Sequence, residues 1–203
     1  MNAKRYLDSI GSKYKRVFII YSSTGATEPV FTEKTLATLG GRMDVVARTA
    51  FYALHDVKPC RPDTLFIAHL EGQPSPPRQV YIDCNSSAKM PIGERDMGRL
   101  LRTLLESQES RSTFTGLIDL IRRKTAVYTL HESGEDIERA LKHPSLPAAF
   151  ILGDQKGFPR IYEDYLLRYT APISIGPRPY LASHVAAFVN EWLDSSLRLL
   201  SSE

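Results

Sequence analysis

The feature that most constrains this chain is an alternation. Short runs rich in β-branched and aromatic residues recur along it, at residues 17–21 (VFIIY), 64–70 (TLFIAHL), 79–83 (QVYID), 126–130 (AVYTL), 148–152 (AAFIL) and 172–175 (PISI). Each is bounded by charge or turn residues and is too short for a helix, so each reads as a strand, buried where it is apolar throughout. Between them, apolar residues return every three or four positions. Met97, Leu100, Leu101, Leu104 and Leu105 fall on one face of a predicted helix over 94–106. Other helices are predicted over about 42–54, 114–123, 135–142, 161–169 and 181–200, the last with a stripe of Val185, Phe188, Val189, Trp192, Leu193 and Leu197. Strand and helix in turn imply an α/β fold, with a mostly parallel sheet and helices on both faces. The 79–83 run is the exception. It follows the proline-rich turn Gly72-Gln-Pro-Ser-Pro-Pro-Arg78, short enough for an antiparallel hairpin at a sheet edge.

With 203 residues and no internal repeat or low-complexity tract, the chain is expected to form a single domain, residues 1–203. Its net charge of +3 is compatible with an RNA partner without requiring one. Cys60 and Cys84 lack CxxC spacing, so neither a zinc site nor a disulfide framework is expected. His55, His131 and His184 offer no ligand spacing either, and no metal is expected. The N-terminus carries no apolar signal core, and every apolar run is far shorter than the ~18 residues of a membrane span. A reducing cytoplasm and no membrane partner are the expectation.

In α/β proteins, ligands gather where strands hand over to helices at the carboxyl ends of the sheet. Three such junctions stand out: His131-Glu-Ser-Gly-Glu-Asp136, Gly153-Asp-Gln-Lys-Gly157 and Gly176-Pro-Arg-Pro-Tyr-Leu181. Their glycines let backbone approach a ligand, and exposed loop N–H and C=O groups can read an adenine edge. Taken singly they also read as ordinary turn glycines. No strand is followed by GxGxxG and no Walker A loop occurs, so phosphate cradling is not supported.

Together these three segments resemble the C-terminal half of the SPOUT methyltransferases, and the chain as a whole is similar to the TrmY family within them. Gly40-Gly-Arg-Met-Asp-Val-Val-Ala-Arg48 resembles that family's helix start. Gly72-Gln-Pro-Ser-Pro-Pro77 resembles its loop, and Ile92-Gly-Glu-Arg95 its second helix opening. Phe150-Ile-Leu-Gly-Asp154 and Ile173-Ser-Ile-Gly-Pro177, with Leu181, His184 and Asn190 after them, follow in the family's order. Three departures stand beside the match. Gln155 replaces the family's usual histidine, Arg178-Pro179-Tyr180 differs from its loop, and about residues 1–16 form an extension without counterpart.

The resemblance implies a deep C-terminal trefoil knot over about residues 126–200 that holds S-adenosylmethionine. Leu130, Leu152, Gly153, Asp154, Ser174, Ile175, Gly176 and Leu181 would line the cofactor. It implies methylation of N1 of pseudouridine in the T-loop of tRNA (position 54), by a homodimer. Asp44 with Arg42 would act at the acceptor side, although a helix-start acid beside a solvated arginine is the alternative. Arg48, Arg95, Arg99 and Arg102 would clamp RNA, or, for the last three, simply solvate a helix surface. The rival readings are a related knotted enzyme acting on rRNA pseudouridine, a non-catalytic RNA-binding module of this fold, and an unrelated nucleotide-binding α/β protein.

Overall fold

A computed structural model of the chain describes residues 3–56, 60–142 and 144–200, with the side chains of 198–200 excepted. Its centre is a six-stranded sheet in the order β3-β2-β1-β5-β4-β6. The strands are β1 (Arg16–Ser22), β2 (Thr64–Leu70), β3 (Arg78–Ile82), β4 (Ala126–Asp136), β5 (Ala148–Gly153) and β6 (Ala171–Ser174). All neighbours run parallel except β2 and β3, which form the expected antiparallel edge hairpin. Every residue of β1, β2 and β3 is buried. That pattern requires cover on both faces, because a half-solvated sheet would alternate.

The cover is helical, and strand alternation divides it. Phe18 and Ile20 of β1 enter one core, with α2 (Met43–Leu54), α3 (Glu94–Ser107) and α7 (Ala182–Leu200). Val17, Ile19 and Tyr21 enter the other, with α1 (Ala3–Asp8), α4 (Phe114–Arg122) and α6 (Arg160–Tyr169). On α7, Val185, Val189 and Leu193 point inward while Phe188 is exposed, so the apolar stripe is mainly core. The N-terminal extension is part of the second core. Tyr6, Leu7, Ile10 and Tyr14 are buried there, and the Tyr14 hydroxyl donates to Asp83 Oδ2 at 2.8 Å.

β3 is an edge strand, yet its outward backbone is occupied. Tyr81 N–H donates to Gln108 Oε1 at 2.9 Å, Gln108 Nε2 donates to Tyr81 O at 2.8 Å, and Gln79 N–H donates to Ser110 O at 2.9 Å.

Two expectations are corrected. The helix expected over 135–142 is only the short α5 (Ile137–Ala140), because β4 continues through Asp136. Leu130 pairs with Ile173, and after a register shift Glu135 pairs with Ile173 and Asp136 with Ser174. Pairing with β6 overrides a weak helical pattern. The second correction is a disulfide between Cys60 and Cys84. The hairpin register, Phe66 opposite Ile82, brings the chain before β2 beside the chain after β3, a proximity that a separation of 24 residues conceals. Closing a loop of that size stabilises a fold by roughly 3 kcal/mol through the unfolded state. Cys84→Ser is therefore expected to lower the urea midpoint by about 1–2 M for an m-value of ~2 kcal/mol/M, and equilibrium unfolding with and without reductant checks it.

Candidate functional site

Because β1, β2, β4, β5 and β6 are parallel, their carboxyl ends share one rim of the sheet. Two cavities lie along that rim.

The larger, about 560 Å³, is formed at the ends of β4, β5 and β6 and at the start of α7. β4 lies between β5 and β6, so the three bends after these strands converge without long-range coincidence. Leu130, Leu152, Gly153, Asp154, Ser174, Ile175, Gly176 and Leu181 are all on its wall. Glu163 and Val185, which share that wall, belong to none of the motifs that the sequence offers for this site, whereas Ile173, Lys156 and Tyr180 lie within them without being assigned to the cofactor. Val185 reads only as part of the apolar helix stripe. The turn after β6 is held by Ser174, whose Oγ donates to Gly176 O at 2.6 Å and accepts from Gly176 N–H at 3.1 Å. Gly176 adopts φ 152°, a conformation that side chains disfavour, and a Cβ there would meet the Tyr180 hydroxyl at 2.6 Å. Segment 131–134 lies so close to the backbone of β6 that a Cβ on Gly134 would stand 2.6 Å from Ile173 N and C. His131 Nδ1 accepts from Ser133 N–H at 3.2 Å, so its Nε2 donates to Glu163 Oε1 at 2.8 Å.

This cavity suits S-adenosylmethionine in its chemistry. Leucine and isoleucine walls match a flat adenine, backbone of Gly153 and Gly176 lines the same space, and Asp154, Glu132 and Glu163 offer negative charge to a sulfonium or ammonium. Its volume lies within the ~300–1,000 Å³ of small-molecule sites.

The smaller cavity, about 340 Å³, lies at the ends of β1 and β2 between Ser23, Thr24, Thr38, Gly41, Glu71 and Gly72. Ser23 joins the two spaces. Its N–H and Oγ donate to Asp154 Oδ2 at 2.7 and 2.8 Å, while Asp154 Oδ1 accepts from Lys156 N–H at 2.8 Å.

Arg42 and Asp44 flank the smaller cavity through Gly41 rather than line it. Gly41 presses on the Thr24 carbonyl, where a Cβ would come within 1.9 Å, and φ 59° there also favours glycine. Arg42 follows at φ 71°, the only non-glycine with positive φ among the described residues. An arginine in the left-handed region costs about 1 kcal/mol or more, and such strain collects at functional sites. Arg42 then forks onto Asp44, Nε to Oδ1 at 2.9 Å and Nη2 to Oδ2 at 3.0 Å. Arg48 Nη2 stands 3.6 Å from Asp44 Oδ2, and its Nε donates to Glu94 at 2.8 Å. Burial pushes the Asp44 carboxyl up, but the Arg42 hydrogen bonds and the two guanidinium charges outweigh it and hold the group below the usual carboxylate range. The hydrogen bonds and charge of Asp44 in turn hold the Arg42 guanidinium above its usual range, with the charge of Asp154 adding to them.

Asp83 and Asp194 are likewise held low, against burial, by Lys13 with Tyr14 and by Arg61 with Arg16. Carboxyls lowered in the fold contribute stability that is complete above the unfolded value of 3.8 and is lost as pH falls through their folded values. Thermal melts from neutral pH to pH ~2 are therefore expected to hold level until about pH 4 and to decline below it.

The remaining arginines differ among themselves. Arg95 is exposed with no ion-pair partner among the described residues, whereas Arg99 pairs with Asp96 at 2.6 Å and Arg102 with Glu106 at 3.5 Å. Among the described residues no three His, Cys, Asp or Glu side chains gather as a metal site, and no helix is long and apolar enough to cross a membrane.

Residues 15–197 match the model of a family described as "Putative SAM-dependent RNA methyltransferase". A relative from Thermococcus kodakarensis, a tRNA (pseudouridine(54)-N(1))-methyltransferase, is 32% identical over 200 residues, covering 88% of this chain and 98% of its own. One from Pyrococcus abyssi with the same name is 30% identical over 88% of this chain and 97% of its own. Among solved structures, Archaeoglobus fulgidus Nep1 bound to S-adenosylhomocysteine superposes with a TM-score of 0.59 at 16% identity, over 93% of this chain and 99% of its own.

Proposed function

From the premise that this chain belongs to a family of S-adenosylmethionine-dependent RNA methyltransferases, we propose that it methylates N1 of pseudouridine at position 54 of tRNA. The observation that carries the reading is the Ser23–Asp154 bridge, which sets a cavity suited to the methyl donor beside an arginine–carboxylate cluster at a second cavity. Full-length relatives with that activity in their names support the substrate.

When bound, S-adenosylmethionine supplies an electrophilic methyl group. Leu130, Leu152, Ile175 and Leu181 would enclose its adenine, with backbone of Gly153 and Ile175 on the adenine edge and Ser174 fixing the turn at Gly176. Asp154 would hold the loop after β5 against Ser23, and so fix donor side to acceptor side. Asp44, kept charged by its clamp, is a poor proton acceptor but a firm anchor: it orients Arg42, whose half-exposed guanidinium would meet the target nucleotide. Holding both reactants in line lowers a barrier by ~7 kcal/mol or more, so rigidity here is itself catalytic. Arg48 and the exposed Arg95, Arg99 and Arg102 would attract the RNA backbone, Arg95 most because it lacks an internal acid.

The family match over residues 15–197, with segment 131–134 seated tightly on β6, supports the trefoil knot of the SPOUT fold over about residues 126–200, within one methyltransferase domain. The exposed Phe188 on α7 and Leu181 beside the larger cavity support a homodimer with sites near the subunit contact. Family membership supports action on cytoplasmic tRNA, and the disulfide is the one feature that pulls against a reducing compartment.

Mass spectrometry of tRNA and rRNA treated with the purified protein and labelled cofactor tests the reading. A single label on tRNA pseudouridine is expected. Label confined to rRNA would overturn the substrate assignment, and cofactor binding without any transfer would leave a non-catalytic RNA-binding module.

A further inference from the structure

Behind the smaller cavity a buried polar relay runs from Gln79 through His69 to Glu71. Gln79 on β3 is fixed from outside: its Oε1 accepts from Ser112 N–H at 2.8 Å, and its Nε2 donates to Ser112 O at 2.7 Å. Gln79 Nε2 also meets His69 Nδ1 at 2.8 Å. An amide nitrogen can only donate, so Nδ1 accepts and the His69 proton sits on Nε2. That Nε2 stands 2.8 Å from Glu71 Oε1 and donates to it. His69 is fully buried, and Glu71, next out along the relay, reaches the wall of the smaller cavity with its side chain 21% exposed.

A buried histidine with both ring nitrogens committed is costly to assemble for the sake of a tie to a surface carboxylate. What it achieves is to hold one oxygen of Glu71 and leave the other open. The titratable groups facing Glu71 are His69 on β2, Tyr21 on β1 and Tyr162 on α6, whose hydroxyl lies 3.5 Å from Oε1. Among the described residues Glu71 is paired with no lysine or arginine, and Oε2 has no hydrogen-bond partner. Asp44 presents the opposite case, since both of its oxygens are taken up by guanidinium groups. Unlike Asp44, Glu71 has one carboxylate oxygen free of any hydrogen-bond partner among the described residues.

We propose that Glu71 is the proton acceptor for the target base and that His69, oriented by Gln79, is its positioning residue. The inference rests on the reading above and adds the base it lacked. As N1 of the base forms its bond to the methyl carbon, the carbon–sulfur bond breaks and its electron pair stays on sulfur. The electrons of the N1–H bond remain on nitrogen, and the proton moves to Glu71 Oε2. Charge balances, because a cationic donor and a carboxylate become a neutral thioether and a carboxylic acid.

The test compares the full-length wild-type protein with Glu71→Gln, which keeps the oxygen that accepts from His69. Single-turnover transfer to tRNA is expected to fall about 100-fold, within the range for loss of a general base. The deficit should shrink as pH rises, because hydroxide then takes the proton that an amide cannot. Affinities for S-adenosylmethionine and for tRNA should stay within about twofold of wild type. A readout independent of turnover is the N1 imino proton of pseudouridine in a T-arm stem-loop bound without cofactor. Its resonance is expected to move downfield on the wild-type protein and to lose that shift on Glu71→Gln. Wild-type turnover in the variant, or a deficit equal at every pH, overturns the assignment. A wild-type protein that methylates no tRNA overturns the substrate reading and takes this proposal with it.

Discussion

Asp44→Ala is expected to reduce methyl transfer to tRNA by about 10²–10³-fold, a loss of ~3–4 kcal/mol of transition-state stabilisation, while S-adenosylmethionine binds as before. The separation follows from where the carboxylate sits. Asp44 touches Arg42 and Arg48 but lies on the wall of neither cavity. Its removal frees a guanidinium held by two hydrogen bonds and leaves a backbone at φ 71° with less to fix it. Arg42 would then lose its aim. Calorimetry with the cofactor and a transfer assay on the same preparation give the comparison, and equal losses in both would refute the acceptor-side placement.

Gly134→Ala is expected to be as severe by a different route. The added methyl would stand 2.6 Å from two backbone atoms of Ile173, where no flexible side chain can yield. Either segment 131–134 lifts from β6 or β6 shifts, and both edges of the larger cavity depend on that contact. Overpacking of this kind costs about 1–3 kcal/mol. For a chain of 203 residues that is a fall in Tm of roughly 2–12 °C, accompanied by at least tenfold weaker cofactor binding. Unlike Asp44→Ala, this change should damage binding and turnover together. Differential scanning fluorimetry with and without cofactor measures both.

Much of this architecture is written locally. The unbroken apolar run at residues 17–21 and the period of 3.6 in residues 94–106 each report a single element and how it is buried, and both elements form where those patterns lie. The walls of the larger cavity were legible because strand-end glycines and aliphatic residues occur in the order of a known family. What escaped notice depends on pairings between distant residues. The return of 135–136 to β6 is decided by an edge that the local sequence does not contain. The disulfide depends on hairpin register. Nothing in AHLEG announces that His69, two residues before Glu71, and Gln79, eight residues after it, will meet behind it. Ser23 reads only as one of the turn residues that bound the first run, because its partner Asp154 lies 131 residues away.

Gln108 acts as a substitute strand, its single amide making the two bonds that another chain's backbone would otherwise make to Tyr81. With Ser110 it closes that margin of the sheet to β-augmentation, whether by a second copy or by an extended peptide. Self-association of this molecule is thereby steered away from strand addition at β3 and toward contacts made by side chains on its helices and rim loops.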